Sequence, residues 1–97
     1  MAISVSIFEL HLPEARSLKQ KRKVIKSLIE RIHRRFRVSI AETDHHDLHQ
    51  RSEISIAAVA RSPSEGRRLM DSVRDLIDGE PAAMLLHWDP QVLEEVR

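Results

Sequence analysis

A chain of 97 residues with 41% hydrophobic and 32% charged side chains can build one modest core and is too apolar for a disordered segment. It contains no cysteine, tyrosine or asparagine, which excludes disulfides, thiol chemistry and any mechanism that needs a phenol or an Asn donor. The net charge of +1 conceals a polarised chain: residues 16–37 carry ten of the sixteen Lys/Arg side chains and one acid, a local charge of +9 against −8 elsewhere.

Residues 2–12 read as a strand. Ile3, Val5 and Ile7 alternate with Ala2, Ser4 and Ser6, and the apolar phase then switches to Phe8, Leu10 and Leu12. That switch predicts a bulge or burial on both faces. Glu9 interrupts the pattern a secretory signal would need, and no run of about 18 apolar residues follows, so neither export nor a membrane span is expected. The expected setting is the cytoplasm.

Pro13 stops the strand. Ser17 with Gln20 three positions on is a capping-box spacing. Leu18, Ile25, Leu28, Ile29, Ile32 and Phe36 then share one helical stripe, which predicts a helix over about residues 17–36. Val38 to Thr43 alternates as a second strand. Residues 44–50, DHHDLHQ, form a polar connection. A third strand runs from Glu53 to Ala60. Ser62, Pro63 and Glu65 combine an N-cap, a first-turn proline and a capping acid. They open a second helix, with Leu69, Met70, Val73, Leu76 and Ile77 inward and Gly79 as its stop. Ala82 to Trp88 reads as the last strand, and QVLEEVR after Pro90 as a tail of one or two helical turns.

The order β-α-β-β-α-β with right-handed crossovers predicts an α+β, ferredoxin-like domain. Its four-stranded antiparallel sheet would carry both helices on one face. The fold decides no function. Acylphosphatase chemistry, which shares the topology, needs the Asn donor this chain lacks. Two glycines cannot make a Gly-rich phosphate loop.

Three stretches together carry a resemblance: S-L-K-x-K-R at Ser17 to Arg22, R-F-x-V-S at Arg35 to Ser39, and A-E-x-D-x-x-D-L-x-Q-R at Ala41 to Arg51. With them the chain resembles, over nearly its whole length, the bacterial family of the domain of unknown function 503, also called YlxP-like. The resemblance implies a ferredoxin-like fold. The family's genes stand beside those of translation initiation and ribosome maturation factors, which implies an RNA or ribosome connection. The family motif points to Ser17, Asp44, Asp47, Gln50 and Arg51 as a polar cluster. His49 is a departure, since relatives often carry Trp there.

The basic helix is the first candidate site. With Ile25 at the centre of the buried face, Lys19, Lys23, Lys26 and Arg34 project outward, and Lys21, Arg22, Arg31 and Arg35 lie on the flanks. Cations near the helix C-terminus complement its dipole; Lys19, Lys21, Arg22 and Lys23 oppose it, at roughly 0.3–1 kcal/mol each. Two compensations are open: pairing with Asp44, Asp47 or Glu14, or binding of an external anion. The nucleic-acid set is therefore Lys19, Lys21, Arg22, Lys23, Lys26 and Arg34. His45, His46 and His49 with nearby Asp are a candidate zinc or nickel set, but adjacent loop residues cannot easily all face one ion. No metal and no other cofactor is expected.

The third strand offers no aromatic for base stacking, so an RNA would be held by its phosphates. Ala57 and Val59 could instead pack against a second subunit, making a homodimer. The reading is a non-catalytic cytoplasmic module that binds RNA or a ribosomal subunit. The alternatives are a protein-interaction or self-assembly module docking an acidic partner, and a small metal-dependent hydrolase at residues 44–49.

Overall fold

The computed structural model describes residues 1–93. Strand β1 (Ala2–His11) leads into helix α1 (Leu18–Phe36). Strands β2 (Ser39–Asp44) and β3 (Arg51–Ala60) follow, then helix α2 (Pro63–Asp78) and strands β4 (Met84–His87) and β5 (Gln91–Leu93). The sheet order is β2-β3-β1-β4, all antiparallel, and β5 pairs with the other end of the β1 edge that β4 uses. The arrangement is ferredoxin-like.

Local chemistry sets the helix ends. The Ser17 hydroxyl accepts the Gln20 N–H at 3.1 Å, and the Gln20 side chain accepts the Arg16 N–H at 2.6 Å. One of the four orphan donors at the helix start is thereby satisfied, and the chain entering the helix is fixed. Ser62 caps α2 in the same way, accepting from Glu65 N at 3.2 Å behind Pro63. Helix α1 stops where Arg37 turns left-handed (φ 51°), its N–H donated to the His33 carbonyl. Gly79 ends α2 with a right-handed φ of −79°, so no left-handed turn is involved there.

Phe8, Leu10, Leu28, Ile32, Ile54, Met70, Val73 and Ile77 form the buried centre, with Trp88 tilted against Phe8 at 5.4 Å. Each large apolar side chain enclosed here contributes about 1.5–3 kcal/mol.

Two expectations about strands change. The phase switch in β1 is not a bulge in its main ladder. Pairing with β3 is unbroken from Ala2↔Ala60 to His11↔Arg51, and the register shift lies on the β4 side, between Glu9 and Leu10. The even-numbered residues Ala2, Ser4, Ser6, Phe8 and Leu10 all face inward, and Ile3, Val5 and Ile7 face away from the helices. At Ser4 a small inner residue is required because the first turn of α2 passes close. A Cβ on Gly66 would sit 2.3 Å from Ser4 Oγ. The Ser4 and Ser6 hydroxyls are buried without a hydrogen-bond partner among the described residues. The second change is at the tail: residues 91–93 are extended and pair with Ile3 to Val5. The rest of that tail, 94–97, lies outside the described residues.

Candidate functional site

Lys21 is the largest departure from the sequence reading. It lies on the inward stripe with Ile25, Leu28 and Ile32, not on a flank, and its side chain is 0% exposed. Its ammonium has three protons and three acceptors. They are Glu42 Oε2 at 3.1 Å, the His45 carbonyl at 2.7 Å and the Arg51 carbonyl at 3.2 Å. Glu42, itself 16% exposed, also accepts from the Ser52 hydroxyl at 2.6 Å. A buried charge so completely paired is held in place, and removing one partner would strand the other. Lys21 therefore cannot reach an external phosphate and leaves the anion-binding set.

The polar connection after β2 is built around this lysine. His45 takes a left-handed φ of 64°, which turns its carbonyl onto Lys21. The Asp44 carboxylate accepts the His45 N–H at 2.7 Å and so caps the turn rather than pairing with helix α1. Gln50 clasps the approach to the helix: its amide donates to the Pro13 and Ala15 carbonyls at 3.3 Å, and its own carbonyl accepts the Leu12 N–H. Arg51 joins Glu9 at 3.1 Å. Asp47 is exposed on the turn. Of the polar cluster, then, Asp44, Gln50 and Arg51 hold the turn, and Ser17 holds the helix start.

On the other side of the same two helical turns, Lys19, Arg22, Lys23 and Lys26 are all exposed. Among the described residues no acid pairs with any of them. They span roughly 10 Å along the helix, beginning at the end where free N–H groups already give a positive potential. No acid stands in the first turn. Glu30 follows on this face, and Arg34 lies exposed beyond it. Two other cations of the segment are engaged: Arg31 pairs with Glu80, and Arg35 stacks over Phe36 at 5.2 Å.

The histidines are divided. His45 Nε2 meets Glu9 Oε1 at 3.0 Å, while His46 Nε2 lies 3.9 Å from Glu42 Oε1. His49 is exposed. Among the described residues no group of three or more His, Asp or Glu is arranged to hold a metal. The hydrogen bond from His45 lowers the pKa of Glu9, with the charges of His45, Arg51 and His87 adding to the effect. The same bond raises the pKa of His45, with Asp44 nearby adding to it.

Glu42 and Glu9 are the residues that sequence reasoning misses. For Glu42 a signal exists. It falls in the inward phase of β2 after Val38 and Ile40, just as Lys21 falls in the inward phase of α1. Opposite charges at two core-facing positions of adjacent elements are a pair waiting to be named. Glu9 has no such signal, because its partners come from a turn and a strand far along the chain.

Three comparisons bear on this arrangement. Residues 3–89 match the family model described as protein of unknown function (DUF503). The chain is 38% identical over 68 residues to the uncharacterized protein YlxP of Bacillus subtilis, covering 70% of this chain and 74% of that one. A de novo designed protein with a ferredoxin fold, solved by solution NMR, superposes with a TM-score of 0.51 at 13% identity, over 100% of this chain and 88% of the other. That last likeness concerns the fold alone. The signatures around Lys21 and Gln50, and the match across nearly the whole length, place the chain in the DUF503 family.

Proposed function

We propose that this chain is a non-catalytic module that binds the backbone phosphates of RNA, free or in a ribosomal subunit, through the outward face of α1. The observation that carries the reading is the exposed group Lys19, Arg22, Lys23 and Lys26, unpaired among the described residues, the first three of them set against the helix dipole. Arg34 adds a contact roughly 12 Å further along the axis. A cost of this kind, kept at the surface, is offset when an anion arrives. The signature residues best suited to chemistry, Lys21, Asp44, Gln50 and Arg51, are engaged in holding the turn, which supports binding rather than catalysis. No helix among the described residues is long and apolar enough to cross a membrane, and the proposed place of action is the cytoplasm, in translation or ribosome maturation.

Phosphate binding by cations releases counterions, so affinity falls steeply with salt. Titration of total cellular RNA and of purified ribosomal subunits across a salt series tests this. The wild type is expected to weaken as salt rises, and each removed contact lowers the slope by about 1. The variant carrying Lys19→Glu, Lys23→Glu and Lys26→Glu should lose binding while keeping its fold. Salt-independent affinity, or full affinity in that variant, overturns the proposal. If the face docks an acidic protein instead, cross-links formed in lysate will survive nuclease.

A further inference from the structure

The sheet face opposite the helices changes character along its strands. Toward His11 and Arg51 it is ionic. Toward Ala2 and Ala60 it is apolar, and there Val59 is 72%, Ile7 56% and Leu93 51% exposed. For side chains of this size, those three leave on the order of 300 Å² of apolar surface in water, comparable with the largest patch of an ordinary monomer.

The relief of this face is specific. Ile7 stands as a knob between two hollows. One, of about 450 Å³ and lined mostly by apolar atoms, lies over the short side chains of Ser55 and Ala57. The other, of about 260 Å³, lies between Ile7 and the His87–Gln91 side. Small residues make the larger hollow: Ser55 is the cross-strand partner of both Ile7 and Ala41, and Ala57 of both Val5 and Ser39.

We propose that a second copy of this chain covers this face about a two-fold axis, with Ile7 of each copy seated over Ser55 and Ala57 of the other. A two-fold interface requires one patch to complement itself. A knob beside a hollow on the same face does so, because each copy supplies what the other needs. The area is adequate. β1 and β3 are ten residues each, so the four-stranded face measures roughly 600 Å² in projection, near the roughly 800 Å² that each partner of a standard interface contributes.

Charge permits the overlay. The cationic stripe of α1 lies on the far side of each sheet, so the two stripes point away from each other. The ionic half of the face carries both signs, Glu9 and Glu53 beside Arg51 and His45. The assembly is a four-layer stack, helices outside and two sheets within, at about 10 Å between sheets.

Sedimentation of the nuclease-treated full chain from micromolar to millimolar concentration tests the proposal. The wild type should pass from the 11.2 kDa monomer to twice that mass. Ile7→Lys and Val59→Lys, both at exposed positions, should raise the midpoint at least tenfold with an unchanged circular dichroism spectrum. Ala57→Phe fills the hollow without adding charge and should do the same, which keeps the test decisive if a lysine variant fails to fold. A wild type that stays monomeric throughout overturns the proposal. So does a dimer indifferent to Val59→Lys and Ala57→Phe, since its contact would then lie elsewhere, such as the free edge of β2.

Discussion

Lys21 and Lys23 are two residues apart in the same helix, carry the same charge, and belong to different parts of the molecule. Lys21 shares its face with Ile25 and Leu28 and has its three protons taken by Glu42 and two carbonyls. Lys23 shares its face with Lys19 and Lys26 and meets water. The difference shows that a count of basic residues is not a count of binding groups. Helical phase decides which cations stabilise the fold and which are available to a partner.

The comparison is most severely tested by deletion. Lys21→Ala is expected to cost about 3–5 kcal/mol in urea unfolding, because the largely enclosed Glu42 would lose its counter-charge and an ammonium-sized void would open. Lys23→Ala should stay within about 0.5 kcal/mol. Equal costs would erase the distinction between the two faces. A double-mutant cycle of Lys21→Met with Glu42→Gln sharpens it, with an expected coupling of about 0.5–3 kcal/mol. Gln50→Ala removes two side-chain hydrogen bonds from the turn that encloses Lys21, and should cost about 1–2 kcal/mol by the same measurement.

A smaller effect has opposite signs in two assays. Lys19→Glu should stabilise the protein by about 0.3–1 kcal/mol, since an acid in the first turn complements the helix dipole. The same change should weaken RNA binding and flatten its salt dependence. If stability falls instead, Lys19 has a structural partner and belongs with Lys21.

The smallest effect expected is in the pH dependence of the Glu9–His45 link. The folded pKa of His45 is raised, so its contribution is complete below its ordinary value near 6.5 and fades as pH rises through the folded value. The folded pKa of Glu9 is lowered, so its contribution is present above its ordinary value near 4.5 and fades as pH falls through the folded value. The link is therefore fully formed between about 4.5 and 6.5. His45→Asn, which tolerates the left-handed backbone, should lower thermal stability within that window and flatten the decline on either side of it, while leaving the Lys21 enclosure intact. A variant with the wild-type pH profile would show that the link contributes nothing.

Element order was legible because its signals are local. Ser17 and Gln20, Ser62 and Glu65, and Pro63 each act within one turn, and the alternation of β3 is clean. The β1 phase was harder to read, because Ser4 and Ser6 look like solvent-facing residues. Both are inside, and at Ser4 the first turn of α2, more than fifty residues away, leaves room only for a small group. Strand β5 was hidden for a related reason: three residues after Pro90 have no periodicity of their own and become extended by pairing with β1. In the candidate site, the sequence distinguishes the outward cations Lys19, Lys23 and Lys26 from the helix C-terminal ones. It offers Asp44, Asp47 and Glu14 as candidate partners of the helix, where the structure uses Glu42, two residues before Asp44 and within β2.

All four lysines of the chain, at 19, 21, 23 and 26, lie in α1. An amine-directed reagent added to the folded protein should therefore modify three of them and leave Lys21 untouched, because its nitrogen is enclosed and fully committed as a donor. Acylation of Lys21 requires the turn between β2 and β3 to lift away. Its rate, read by mass spectrometry, is a clock for that opening, separate from any protection that a bound partner confers on the other three.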